Sequence, residues 1–337
     1  MLYITTRNKD DAYTAYKALT SDTASDGGRY VPFRMPVYTG EEIAALKEKS
    51  FNETIAEILN MFFSCRLVGW DLDFSVGRNV VRIVPMNHRI VVAELWHNME
   101  GKLAYLENAI NQSLIANENG TKVRDWVQIS VRIAVMFGLY GELLRGGILE
   151  AGQTVDISVP NDNFLMPIVA WYCRKMGLPL NMIICSCEDS NSLWDMINHG
   201  VVNTSSLTAD LQLGVERLIQ GTIGCGEAEK FHDACDRGQP YSVNEEKLSQ
   251  LNKGLFCTVA GKDRAKNTIN SVYRSNAYVI EPKTALCFSG LQDYRAKTGE
   301  SGLTVILAER TPMDFAKEIC ESTGINADKL YDLINHF

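Results

Sequence analysis

Beyond Val80 the chain alternates short apolar runs with longer stretches of helical period. Val80-Val-Arg-Ile-Val84, Ile90-Val-Val-Ala93, Val155-Asp-Ile-Ser-Val159, Met182-Ile-Ile-Cys185 and Leu303-Thr-Val-Ile-Leu307 have strand length. Between them run helical patterns with clear ends. Asp125 to Leu144 stops at Gly146-Gly147, Pro167 to Met176 opens on a first-turn proline and stops at Gly177, and Pro282 to Lys297 stops near Gly299. From 201 to 276 the pattern is mainly helical, over Leu211 to Gln220, Glu227 to Arg237 and Glu245 to Lys253. Strands that alternate with helices predict an α/β domain with a largely parallel sheet.

The first 65 residues read differently. Asp26-Gly-Gly28-Arg-Tyr30-Val-Pro32 is a glycine turn entering an extended segment, and Thr39 caps a helix over Glu41 to Lys49. Ser50-Phe-Asn-Glu53 is a capping box that opens an amphipathic helix, Thr54 to Phe63. The organisation expected is a small helical and extended N-terminal unit over 1–80, then one large α/β domain over 81–337.

Composition narrows the partners. The 337 residues are 46% hydrophobic and 22% charged, enough to bury roughly three quarters of the unfolded surface. The net charge is −8 and no Lys/Arg run is long enough to track a phosphate backbone, so neither nucleic acid nor an anionic membrane is expected. The N-terminus has no targeting pattern and no apolar run approaches the ~18 residues of a membrane span; the expected location is cytoplasmic. The nine cysteines lack C-x-x-C pairing and read as reduced thiols, most of them buried. Cys185 and Cys187 fall on one face of a strand, but two thiolates do not make a zinc site. Nucleophile-elbow, zinc-protease, phosphate-loop and dinucleotide motifs are absent, and Gly221-Thr-Ile-Gly224-Cys-Gly226 follows a helix and so reads as a helix end.

Several segments resemble threonine synthases. Glu94-Leu-Trp-His97-Asn-Met-Glu-Gly-Lys102-Leu-Ala-Tyr-Leu106-Glu107 is similar to that family's Glu-Leu-Phe-His-Gly-Pro-Thr-Leu-Ala-Phe-Lys-Asp run. Tyr30-Val-Pro32 and Phe51-Asn-Glu-Thr-Ile-Ala56-Glu-Ile58-Leu59 match its N-terminal pattern. Val155 to Met166 resembles its Val-Ser-Val-Pro-Ser-Gly-Asn-Phe-Gly-Asp loop. Asn276 to Ala285 and Leu307 to Phe315 follow its Glu-Pro-His and His-Pro segments in order. The resemblance implies the large three-layer αβα domain of fold-type II pyridoxal-phosphate enzymes.

It also exposes four losses. The lysine that binds pyridoxal phosphate in the family falls on Leu106, which has no nitrogen to condense with an aldehyde. The phosphate-loop glycines are Asp162 and Leu165, and the family's two histidines are Lys283 and Thr311. The block carrying Ser-Gly-Asp-Thr-Gly, of domain order at roughly 100 residues, is reduced to about 108–124. The small cofactor domain is therefore expected to be missing.

For each candidate position a plain structural role competes with a functional one. At ~4 Å from one phosphate charge, Asp162 would cost about 4 kcal/mol at an effective dielectric of 20, against ~0.3–1 kcal/mol gained from a helix terminus. It either caps or solvates its loop, or points away from a loop that retains anion binding. Glu309 stands where the family has a threonine near the pyridine nitrogen, as a solvated strand-end carboxylate or a partner for a protonated ring. His97 is a structural histidine or a cleft residue, and Lys102 an exposed turn residue or a displaced lysine. His97, Asn161, Asp162, Asn163, Phe164, Glu309 and Thr311 form the candidate vestigial cleft.

The expected function is a non-catalytic binding or regulatory protein, with no cofactor and no metal. It is expected to self-associate or pair with a protein partner, and to hold a small metabolite in the cleft or support an unrelated activity there. The alternative is a pyridoxal-phosphate lyase of threonine synthase type that uses a non-aligned lysine, Lys102 or Lys283.

Overall fold

The computed structural model describes residues 1–21, 23–63, 67, 81–96, 125–161, 164–189 and 192–335. His97, Lys102, Leu106, Asp162, Asn163, Cys65 and the stretch 108–124 lie outside them.

The N-terminal unit carries β1 (Leu2–Thr5), β2 (Tyr13–Thr14) and β3 (Tyr30–Pro32), an antiparallel sheet of order β2-β1-β3. Around it lie α1 (Ala15–Thr20), α2 (Gly40–Ala44) and α3 (Phe51–Phe63). The capping box predicted at Ser50 is present: Glu53 N–H donates to Ser50 Oγ at 3.2 Å and Ser50 N–H to Glu53 Oε2 at 2.8 Å. Thr39 and Glu42 form a second one.

The main sheet comprises β4 (Arg82–Met86), β5 (Ile90–Glu94), β6 (Val155–Pro160), β7 (Leu180–Cys187), β10 (Leu255–Val259) and β11 (Thr304–Ala308), in the order β10-β7-β6-β11-β5-β4. All neighbours pair in parallel except β4 with β5. A two-residue pair, β8 (Val201–Val202) and β9 (Tyr241–Ser242), stands apart.

The helices are α4 (Asp125–Arg145), α5 (Leu165–Lys175), α6 (Ser192–His199), α7 (Ala209–Thr222), α8 (Cys225–Asp236), α9 (Glu245–Leu251), α10 (Lys262–Asn276), α11 (Pro282–Thr298), α12 (Ala316–Thr323) and α13 (Ala327–Asn335).

Period-two alternation builds the layers. Ile183, Val305, Leu307, Val91 and Ala93 face a core shared with α3 to α9, whereas Ile184, Ile306 and Val92 face α10 to α13. The first of these cores runs without a break into the N-terminal unit. Trp126 Nε1 donates to Tyr3 Oη at 3.2 Å, and Tyr3 Oη donates to the Phe62 carbonyl at 2.8 Å.

Two expectations need correction, at α5 and at α4. The region 201–276 is mainly helical, as expected, and within it β10 extends the sheet. Its five residues are flanked closely by α9 and α10 and only alternate weakly in burial, so no strand pattern stands out. Helix α5 begins at Leu165, two residues before its proline, because the first-turn N–H groups of a helix need no internal partner and proline is tolerated there. Helix α4 is, by length and composition, apolar enough to cross a membrane, although no such run was expected; 83% of its apolar window is buried inside the protein, as suits the central helix of a core.

Candidate functional site

Strands β6, β7 and β10 are adjacent and parallel, so their C-terminal ends open on one edge of the sheet. In open α/β sheets that edge is where ligands bind. There Asn161 follows β6, Glu188 and Asp189 follow β7, and Lys262 begins α10 after β10. With Lys266 of α10 and Lys283 of α11 they line a cavity of about 550 Å3. Ala265, Ile269, Pro282, Leu286 and Phe315 supply an apolar wall.

The floor is polar and deeply buried. Asn161 is 4% exposed and its Nδ2 donates to Cys187 Sγ at 2.9 Å, while its Oδ1 is buried with no hydrogen-bond partner. Ser186, 1% exposed, also leaves its hydroxyl unpartnered. It occupies a notch at Gly290 of α11, where an added Cβ would lie 1.8 Å from Ser186 Oγ. Buried groups without partners are rare because each costs ~1–3 kcal/mol, and two line this cavity.

Charges around it balance. Lys262 pairs with Glu188 at 3.4 Å; Lys266, Asp189 and Glu318 carry no ion pair among the described residues. The two helices that begin here differ. Helix α11 is capped by Glu281, whose carboxylate accepts from Lys283 N, Thr284 N and Thr284 Oγ1, each at 2.6 Å. Burial pushes the Glu281 carboxyl up, against the lowering effect of those donors. Helix α10 starts at Gly261 with no side-chain cap, which leaves first-turn N–H groups and the positive end of the helix dipole at the cavity.

Of the sequence candidates among the described residues, Asn161 and Lys283 meet in this cavity. Phe164 does not: it is 1% exposed, left-handed (φ 62°), and lies so close to α7 that a Cβ on Gly214 would be 2.3 Å from its ring. It lines a smaller cavity of about 250 Å3 beside Arg29, Asp125 and Arg217. Thr311 caps a short 3-10 turn by accepting from Met313 N at 3.3 Å. Glu309 is half-buried just after β11 and does not line the larger cavity. Sequence reasoning missed Ser186, Lys262, Lys266 and Glu318, which come from separate segments and form no local motif.

The thiols follow expectation in part. Cys173, Cys185, Cys187, Cys257 and Cys287 are buried, while Cys225, Cys235 and Cys320 are partly exposed. Cys257 on β10 brings its sulfur to 3.9 Å from Cys187 Sγ, and burial pushes the Cys185 and Cys287 thiols up. No cluster of three or more metal-binding side chains occurs among the described residues.

Comparison with known proteins defines the class. The pyridoxal-phosphate-bound threonine synthase of Brucella melitensis superposes with a TM-score of 0.76 at 19% identity, over 99% of this chain and 94% of that one. Yeast threonine synthase gives 0.74 at 14% identity, over 98% and 93%. The fold is therefore that of these threonine synthases. Residues 2–77 match the family model of the threonine synthase N terminus, and the threonine synthase of Pseudomonas aeruginosa is 22% identical over 435 aligned positions, 96% of this chain and 91% of that protein. The chain is thus similar to the threonine synthases in its N-terminal sequence and in its fold. Human threonine synthase-like 1 is 22% identical over 175 residues, 48% of this chain and 23% of that protein, so the match spans under a quarter of that relative's length.

Proposed function

We propose that this threonine synthase-like protein is a non-catalytic binding or regulatory protein that holds a small metabolite at the C-terminal edge of its sheet. What carries this reading is the sequence resemblance that puts Leu106 where the family has its lysine, because leucine has no amine to condense with an aldehyde.

The start of α5 supports it. A phosphate is held at a helix start by converging N–H groups that glycines allow it to approach. Here Leu165 has a side chain in place of glycine, Pro167 has no N–H to offer, and Phe164 is committed to the core. The described residues at this helix start do not fit the phosphate of pyridoxal phosphate.

The alignment to the Pseudomonas enzyme supports the loss of a domain. It runs over 435 positions while taking up 96% of the 337 residues here, which leaves on the order of 100 positions, one small domain, without a counterpart. Removing a domain bares surface that association then covers. Leu2, Tyr16, Phe33 and Val37 are each at least half exposed on the N-terminal unit, in keeping with a homo-oligomer or a complex with a protein partner.

One observation favours the rival reading, a lyase that uses a displaced lysine: Lys283 lines the larger cavity. The test is to incubate the protein with pyridoxal phosphate, reduce with borohydride and map any modified lysine by mass spectrometry, alongside an assay for threonine release from phosphohomoserine. No stoichiometric adduct and no threonine are expected. A single labelled lysine with turnover would overturn the proposal.

A further inference from the structure

The chemistry of the 550 Å3 cavity specifies what it takes. We infer that it binds a small zwitterion with an apolar body, of the size of an apolar amino acid or dipeptide, and not a phosphate ester. This rests on the reading of the chain as a binding protein.

Four features converge. The volume lies within the range of pockets that enclose small organic ligands. The wall of Ile269, Leu286 and Phe315 is apolar, so it rewards a hydrocarbon or aromatic body and gives a phosphate nothing. The buried Asn161 has one amide end bonded to Cys187 and the other unpartnered. The unpartnered end is an oxygen that calls for an N–H donor, such as an ammonium or a peptide N–H. Lys266 and the uncapped first turn of α10 offer a carboxylate a cation and free N–H groups.

The charge balance then decides between classes. Three lysines and three carboxylates line the cavity, and a net anion would meet Asp189 and Glu318 as well as Lys266. A zwitterion directs its ammonium to the carboxylates and the Asn161 oxygen, and its carboxylate to Lys266 and α10. A ligand that lacks either group leaves buried or paired partners unsatisfied, and such a loss is worth about tenfold or more in affinity.

Calorimetry and thermal-shift measurements on the full chain would use L-phenylalanine and L-leucyl-L-phenylalanine as probes. 3-Phenylpropionate, phenethylamine and inorganic phosphate serve as controls. At least one zwitterion is expected to bind at one site per chain, and the two half-molecules at least about tenfold more weakly. Phosphate is expected to give no shift. Asn161→Leu should bring the zwitterion down to the level of 3-phenylpropionate. Lys266→Gln, at an exposed position, should bring it down to that of phenethylamine without changing the melting temperature of the free protein.

Equal binding of the zwitterion and its halves, tight binding of phosphate, or no binding by any probe would each overturn the inference. The outcome separates from the preceding proposal through the borohydride experiment: an adduct on Lys283 sinks the non-catalytic reading, whereas silent probes with no adduct sink only the ligand assignment.

Discussion

Asn161 and Cys187 are joined across the ends of two adjacent parallel strands, amide Nδ2 to thiol Sγ at 2.9 Å, with both residues buried. The bond fixes the amide plane and leaves its oxygen facing no protein donor. Removing the thiol strands the whole amide. Cys187→Ala is expected to lower stability by about 1–3 kcal/mol in urea unfolding, and the Asn161→Ala/Cys187→Ala double variant to lose less than the sum of the singles. Strict additivity would show that the two side chains do not support each other.

Helix α11 crosses β7 at Gly290, where an added methyl would meet Ser186 Oγ at 1.8 Å and Ile184 Cγ2 at 3.3 Å. Gly290→Ala should cost about 1–3 kcal/mol through overpacking. Adding Ser186→Gly removes the worst clash, so the double variant should melt near Ser186→Gly alone. A neutral Gly290→Ala would show that the helix and the strand have room to move apart at this crossing.

The carboxylate of Asp293 on α11 holds Arg264 of α10 in a two-pronged pair, at 2.9 and 2.6 Å, and accepts from Thr258 Oγ1 of β10 at 2.7 Å. Burial by itself would raise this carboxyl, but Arg264 and Thr258 outweigh it and hold it below the ordinary range. A lowered folded value means stability that is present above the unfolded value, near 3.8, and is lost as pH falls through the folded one. Asp293→Asn should therefore melt well below the parent at neutral pH, and the gap should close as both are titrated toward about pH 3. A gap that stays constant with pH would assign the effect to packing alone.

Gly177 ends the α5 region at φ 103°, and a Cβ there would lie 2.4 Å from the Tyr38 carbonyl oxygen. Tyr38 N–H in turn donates to the Met176 carbonyl at 2.8 Å. This backbone clasp ties the N-terminal unit to the α/β domain. Gly177→Ala is expected to destabilise by about 2 kcal/mol or more from strain and overpacking together. Limited proteolysis should then cut first within residues 33–50. Wild-type protease resistance would show that the clasp does not hold the unit.

The parts of the fold that were legible in the sequence carry their own local signals. Glu281-Pro282 starts a helix and Gly299 stops it because the cap, the fixed φ and the left-handed residue are properties of those positions. Val155–Pro160 reads as a strand because every residue of it is buried and its composition says so. β10 has no comparable signal, since what makes Leu255–Val259 a strand is its pairing with β7. The site divides in the same way. Asn161 and Lys283 lie in segments whose resemblance to the family marks them, whereas Lys266 and Glu318 reach the cavity only because α10 and α12 pack on the same sheet face. Phe164 was misplaced for a physical reason: a residue in a loop that resembles a ligand loop is here an αL residue filling the core.

The sheet order has a consequence for how the protein is made. β11, which follows the other five strands of this sheet in sequence, lies between β6 and β5. Until residues 304–308 emerge, β5 with β4 and β6 with β7 and β10 are two fragments, each with an apolar strand edge and no neighbour. Closing them is a long-range event of the kind that slows folding and exposes edges to other chains. A chain that stops before residue 304 thus yields two sticky half-sheets, and the segment that carries β11 decides between assembly and aggregation.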